Sequence, residues 1–446
     1  MTHTKNMTDG KPIRLMIHFA LPMLFANVLQ LFYAVADAAI IGRLLGVNAF
    51  ASVGATASLW WLFLSVVLGL TQGFGVEFAQ RFGAREYKEL RTSIATGIAL
   101  AAALSILIAL IGLFGLGPIL RLMHTPGELI NGATVYMSVF FVGMPVVFAY
   151  NLFGGMLRSL GDSQTPLRAM IVATILNIAL DFAFAIPLGI LGVALATVVA
   201  QAVASIYCFI ALKKTGFLQG EGFCLRRAPA VRLLSLGLPL MLRNIIIELG
   251  GLIVQRYING YGENFVAGIA AAKRMYSLLL VMCGAVEAAV ATFVAQNFGA
   301  GKLERVRHGM HDGLKMMLLS TAVVMAITLP FGRHIMGLLL SGDPAQVAAV
   351  LDIATTQLRI FALGLPILSL LFLYRSALQG IGNTIIPMLS GFLELIMRVG
   401  TVVCLTPLVG VWGVYLADAA GWIVAASLLA ISYVVVMGRL IRKVVG

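Results

Sequence analysis

Gln80-Arg-Phe-Gly-Ala84 returns 216 residues later as Gln296-Asn-Phe-Gly-Ala300, and the same shift carries Gly46, Asn48, Ala51 and Ala55 onto Gly262, Asn264, Ala267 and Ala271. Further along, a shift of 221 takes over. It aligns Phe140, Gly143 and Pro145 with Phe361, Gly364 and Pro366, then Leu157, Gly161 and Pro166 with Leu378, Gly382 and Pro387. It still holds where Gly192, Val193, Leu195 and Ala196 meet Gly413, Val414, Leu416 and Ala417. Small residues are common wherever membrane helices pack, but agreement without gaps over blocks this long marks an internal repeat.

The repeated unit is apolar. The chain is 60% hydrophobic and only 11% charged, against about a quarter charged in an ordinary soluble protein, and its mean hydropathy is +0.99. Crossing a bilayer takes roughly 20 apolar residues. Runs of that kind fall at 18–41, 50–76, 93–116, 131–153, 167–187, 191–212, 232–257, 265–294, 313–334, 353–376, 387–407 and 411–437. The polar stretch before Arg14 has no signal-peptide pattern, so the first run reads as a retained span. The expected fold is therefore an all-α polytopic membrane protein. Twelve transmembrane helices form two six-helix lobes, related by a pseudo-two-fold axis along the membrane normal. The lobes are expected at 1–212 and 232–446, joined by a cytoplasmic linker at 213–231. Parallel repeats of this kind are typical of alternating-access transporters, with substrate bound near the midplane.

The formal net charge of +13 reports topology rather than nucleic acid. Basic residues cluster in alternate connections: Arg81, Arg85, Lys88 and Arg91; Arg158 and Arg168; Lys213, Lys214, Arg226, Arg227 and Arg232; Lys302, Arg305 and Arg307; Arg439, Arg442 and Lys443. The opposite connections hold Arg43, Arg121 and Arg333. By the positive-inside rule both termini are cytoplasmic, and the expected location is a bacterial or archaeal plasma membrane. Cys208, Cys224, Cys283 and Cys404 have no metal spacing and read as small apolar residues. The six histidines form no ligand cluster. No nucleophile–base pair or nucleotide loop is present, so an enzyme is not expected. Nor is a cofactor, or a metal beyond a possible Na+.

Inside this apolar chain a carboxylate stands out. Asp37 lies in Phe32-Tyr-Ala-Val-Ala-Asp37-Ala-Ala-Ile-Ile41, within the first run. An ionisable side chain at membrane depth costs at least a few kcal/mol, so it marks a functional site by default. Asp181 on the fifth run is a second, and Asn177 precedes it by four residues, on the same helix face. Thr197 and the carbonyl of Val193 on the sixth run complete an oxygen-rich set suited to a hard monovalent cation. The same two carboxylates, desolvated together, would equally carry a proton. The set would also serve as plain hydrogen bonds between three helices. Against that, the repeat fails here: Asn177 maps to Arg398, Asp181 to Val402 and Thr197 to Asp418. A purely architectural role would more naturally be duplicated with the architecture.

In the second half, Glu394 and Arg398 are four apart and read first as an ion pair, with Asp418 in reach on the next run. Glu248, Arg243 and Gln255, and then Lys273 and Arg274, add polar depth to the seventh and eighth runs. Pro22 removes a hydrogen bond from the first helix and is a candidate hinge.

Leu21-Pro22 followed by Asp37, the two Gln-x-Phe-Gly-Ala segments, Leu160-Gly-Asp162 and Asn177-x3-Asp181 resemble the multidrug and toxic compound extrusion family. So do Gln379-Gly-Ile-Gly-Asn383 and Glu394-Leu-Ile-Met-Arg398. The resemblance spans essentially the whole chain. It implies a monomeric antiporter that exports organic cations or amphiphilic drugs in exchange for sodium or protons. Residue by residue it implies a first-lobe cation site at Asp37, Tyr136, Asn177, Asp181 and Thr197, and a drug cavity near Gln30, Tyr33, Asn151 and Met170. In another branch key acids lie in the second lobe. Glu248 matches one of them, whereas Gln255 and Val402 stand where others would be sought. A lipid-linked oligosaccharide flippase of the same superfamily is the alternative, left open by Lys273, Arg274 and Arg398. A passive channel would fit the buried acids but not the two-lobe repeat. The expected partners are a small organic molecule and membrane lipids.

Overall fold

The computed structural model describes residues 4–338, 340 and 343–445. Among them the chain is helical, with no strand. The helices are α1 (Pro12–Ile40), α2 (Val47–Gly83), α3 (Tyr87–Leu122), α4 (Gly127–Val142), α5 (Met144–Ser159), α6 (Gln164–Leu188), α7 (Ile190–Lys214), α8 (Arg227–Asn259), α9 (Glu263–Gly299), α10 (Leu303–Gly337), α11 (Pro344–Gly380), α12 (Ile385–Val409) and α13 (Trp412–Val445). A short π-helical turn, Ile41–Leu45, extends α1. Eleven helical stretches are long and apolar enough to cross a membrane, and α4 with α5, bent by 50°, makes a twelfth. The bend falls at Gly143, where Pro145 at the start of α5 limits continuation of the helix. The twelve apolar runs of the sequence correspond to these twelve spans.

The repeat is visible in the turns. Glu86 N–H bonds Arg81 O at 3.1 Å after α2, and Lys302 N–H bonds Asn297 O at 2.9 Å after α9. The intervening residue is left-handed in both copies: Arg85 at φ 60° and Gly301 at φ 70°. Glycine reaches that region freely, whereas a side chain is crowded there, so the first copy carries local strain that the second avoids. Asp162 and Asn383, 221 apart, both cap the following helix, accepting from Thr165 N at 2.9 Å and Ile386 N at 3.2 Å. An Asp or Asn side chain in this place satisfies an N–H that the helix leaves without a partner.

The helices gather into two compact units. The first comprises the N-terminal stretch to Asp9 with His18–Met241, and the second comprises Gly10–Ile17 with Leu242 onward. The division falls inside α8 rather than in the 213–231 loop, for a packing reason. A Cβ added at Gly73 would lie 2.4 Å from the Gly237 Cα, and one at Gly69 would lie 2.4 Å from the Met241 Cα. The first half of α8 thus packs backbone to backbone on α2. Arg232 adds an ion pair with the buried Glu77 at 3.4 Å, and Arg81 holds the same carboxylate at 2.8 Å. The loop itself packs on the first unit: the Phe217 ring centroid lies 5.5 Å from that of Tyr87, and Thr92 Oγ1 donates to Gly222 O at 2.6 Å. Gly73→Ala must therefore push two backbones apart. It is expected to cost about 1–3 kcal/mol, read as a lower thermal-unfolding midpoint, while Ala at the open Gly54 leaves the midpoint unchanged.

Each unit has its own aromatic core. In the first, Phe74, Phe78, Phe141 and Phe148 are fully buried, with Phe63 set edge-on to Phe141 at 4.7 Å. In the second, Trp422 stacks on Tyr276 at 5.7 Å and Phe361 lies 4.6 Å from Tyr276.

Candidate functional site

Four helices of the first unit converge on one polar cluster. Asn177 and Asp181 lie one turn apart on α6 and are completely buried. Thr197, on α7, is buried beside them. Asn177 Nδ2 donates to Asp181 Oδ1 at 3.5 Å and to Thr197 Oγ1 at 3.4 Å. Thr197 in turn donates to the Val193 carbonyl at 3.2 Å and accepts from Tyr33 Oη at 3.1 Å. From α1, the half-buried Asp37 brings its carboxyl within hydrogen-bonding range of that of Asp181. Tyr136 on α4, also buried, is near enough to feel both charges, and its ring packs 4.9 Å from Phe140.

The donors in this cluster run out before the acceptors do. Asp37 Oδ1, Asn177 Oδ1 and Asp181 Oδ2 are buried and accept no hydrogen bond. Among the described residues neither carboxyl pairs with a lysine or arginine. A buried acceptor left without a donor costs about 1–3 kcal/mol, and more when charged, so the cluster as it stands is unsaturated. Two carboxyls and an amide oxygen form a set that a hard cation or a shared proton would complete.

The residues placed near a drug cavity are less gathered. Tyr33 belongs to the polar cluster through its hydroxyl. Gln30, one turn earlier on α1, is exposed. Asn151 on α5 turns its amide back to Val147 O at 2.8 Å. Met170 on α6 accepts from Tyr150 Oη at 3.5 Å. Pro22 lies within α1, which remains a single helix through it. Pro239 sits inside α8 in the corresponding place.

The second unit holds a different kind of cluster, one in which both oxygens of the central carboxylate are paired. Glu394 is buried between Arg398 at 2.7 Å and Arg375 at 3.2 Å, and Arg398 reaches Asp418 at 2.9 Å. Glu248 lies within the field of Arg398. Lys273 Nζ donates to Gln255 Oε1 at 3.3 Å. Arg274, expected in this network, is exposed and makes none of its contacts. The position is taken by Arg375, from α11. Arg243, buried on α8, bonds the Asn244 side chain at 2.7 Å and shares the field of Glu287 with Arg375. The signal for Arg375 was available: it interrupts Leu370-Leu-Phe-Leu-Tyr-Arg375 as Asp37 interrupts α1.

The family model described as MatE matches residues 22–183 and 239–403. Among curated proteins, the probable multidrug resistance protein YoeA of Bacillus subtilis is 30% identical, over 74% of this chain and 73% of its own. The multidrug export protein MepA of Staphylococcus saprophyticus is 25% identical over 84% of each. Among solved structures, that of MATE in complex with MaL6 superposes with a TM-score of 0.91. It covers 99% of this chain and 100% of its own at 22% identity, a likeness of fold. The matched segments take in most of both copies of the repeat, with Asp37, Asn177, Asp181 and Glu394 inside them, and the chain belongs to the MatE family of multidrug and toxic compound extrusion transporters.

Proposed function

We propose that the chain is an antiporter that exports organic cations or amphiphilic drugs by alternating access, in exchange for a sodium ion or a proton. The observation that carries this reading is the Asp37–Asp181 pair, two adjoining carboxyls with three oxygens of the cluster left without donors. Two like charges placed side by side away from water repel, and a bound cation or proton relieves that repulsion. Tyr136, Asn177, Thr197 and the Val193 carbonyl would surround the ion, and Gln30, Tyr33, Asn151 and Met170 would line the path of the organic substrate. Because Tyr33 bonds Thr197, it would join the two functions on one helix, with Pro22 as a hinge in that helix. The basic loops and both termini lie on the cytoplasmic side in this reading, and a single chain is the transporting unit.

The relatives' names supply the substrate class, since YoeA and MepA are described as multidrug resistance and export proteins. They do not favour the flippase alternative. Purified protein in liposomes, loaded with a fluorescent organic cation, is expected to expel it when an inward sodium or proton gradient is imposed. The two gradients, applied separately, identify the ion. Equal flux without either gradient would mean a passive pore and would overturn the reading.

A further inference from the structure

We propose that the cleft where α3 meets the 215–226 loop and the start of α8 binds an anionic phospholipid. The cleft has a volume of about 310 Å³ and is lined by Thr96, Ala99 and Leu100 from α3 and by Leu225, Arg226 and Arg227 opposite. It belongs to the first unit and is remote in sequence from the carboxylate cluster, so it stands independently of the antiport reading.

The chemistry of the cleft is divided. One end carries an excess of positive charge. Four basic residues meet here, Lys88, Arg91, Arg226 and Arg227, against Glu89, whose charge acts on Lys88, and Glu221. That acid is already engaged: Lys88 Nζ lies 2.6 Å from its carboxylate, and Arg91 donates to its carbonyl at 3.2 Å. The ammonium of Lys88 holds the Glu221 carboxyl below its ordinary range. Arg226 and Arg227 are exposed and pair with no carboxylate among the described residues. Arg226 is nevertheless fixed in place, because its backbone N–H bonds the buried Thr96 Oγ1 at 3.3 Å.

The other end is apolar. Leu225 is 67% exposed and Phe223 41% exposed, beside the two arginines. From Ala99 an exposed stripe continues along α3 through Ile106 and Leu110, residues that share a helix face. A molecule with a phosphodiester head and an acyl tail satisfies both ends together. Free phosphate would leave the apolar wall bare, and a neutral lipid would leave the two guanidinium groups without an anion. Basic pockets at the membrane surface between helices are suited to acidic lipid headgroups.

The test uses the full chain in detergent, titrated with phosphatidylglycerol or phosphatidylcholine and followed by native mass spectrometry. The parent is expected to retain phosphatidylglycerol in preference to phosphatidylcholine. Arg226→Gln with Arg227→Gln should weaken that retention about 30-fold, from about one decade or less per basic residue. Leu100→Trp, which fills the apolar side, should also weaken it with both arginines intact. Lys213→Gln with Lys214→Gln removes the same charge from the end of α7 and should change nothing. Three outcomes overturn the proposal. One is equal loss in the Lys213/Lys214 variant, which means bulk surface charge. Another is equal retention of phosphatidylcholine. The third is full displacement of lipid by millimolar inorganic phosphate with Leu100→Trp silent, which means an anion site alone.

Discussion

Asp37→Asn is expected to abolish ion-driven efflux while raising the thermal-unfolding midpoint. The amide keeps the size of the side chain but holds no charge and exchanges no proton. Asp181 then no longer faces a like charge across a hydrogen-bond distance, and an amide is easier to bury than a carboxylate. Stability and coupling therefore move in opposite directions, as happens where a strained polar site is kept for function. In the antiport reading the ion weakens the hold on substrate, and substrate must weaken the hold on the ion by the same factor. That factor is about 5- to 150-fold for typical coupling energies, and Asp37→Asn should bring it to one. The measurement is equilibrium binding of an organic cation to purified protein, with and without sodium and at high and low pH, beside efflux in liposomes. Asp181→Asn should behave the same way, since the two carboxyls form one site. Thr197→Ala should reduce coupling less, because it removes a hydroxyl already spent on Val193 O. A purified Asp37→Asn protein that exchanges substrate for ion at the parent rate would rule the mechanism out.

The sequence made this site legible because its elements are local or anomalous. Asn177 and Asp181 are one turn apart, and Asp37 is conspicuous by its apolar neighbours. The repeat sharpened the reading by failing at those residues. Tyr136 and Tyr33 came through the family resemblance alone, since a tyrosine in an apolar helix is unremarkable. The resemblance places Tyr33 near the drug path, and its hydroxyl in addition reaches Thr197, a contact across 164 positions that no spacing rule contains. In the second unit the i, i+4 pair of Glu394 and Arg398, with Asp418 beside it, was readable, and Arg375 stood out in its apolar run, but which further arginine meets Glu394 was not readable. Choosing between Arg274 and Arg375 requires the rotation of α9 and α11 about their own axes. A one-residue change of phase turns a side chain by about 100°, enough to leave Arg274 exposed while Arg375 points inward. The division of the chain inside α8 was hidden for a similar reason. Gly69, Gly73 and Gly237 are three of the protein's 47 glycines, and only the crossing of α2 and α8 distinguishes them.

Glu394→Gln is expected to cost stability rather than coupling. Glu394 is the sole carboxylate that pairs with Arg375 among the described ion pairs, and both side chains are only 6% exposed. The amide would give Arg375 a neutral acceptor and leave a buried guanidinium with only the field of Glu287, which it shares with Arg243; breaking a buried pair from one side costs about 3–5 kcal/mol. Arg398 suffers less, because Asp418 still holds it at 2.9 Å. The contrast is Arg333–Asp352, a shorter contact at 2.5 Å whose side chains are 46% and 70% exposed. Water solvates those charges whether or not they meet, so Asp352→Asn should cost only about 0–1 kcal/mol. Distance alone would rank the two pairs the other way, and burial decides between them. Combining Glu394→Gln with Arg375→Met removes the stranded charge and should recover much of the loss, since an apolar replacement of a buried pair is often neutral. Ion-driven efflux per folded molecule should stay near the parent value throughout, because this cluster has no oxygen waiting for an ion. If Glu394→Gln shifts the unfolding midpoint no more than Asp352→Asn does, the cluster is not what holds α11, α12 and α13 together. If efflux per folded molecule falls with Glu394→Gln as it does with Asp37→Asn, the second unit takes part in coupling, and the assignment of the ion to the first unit alone fails.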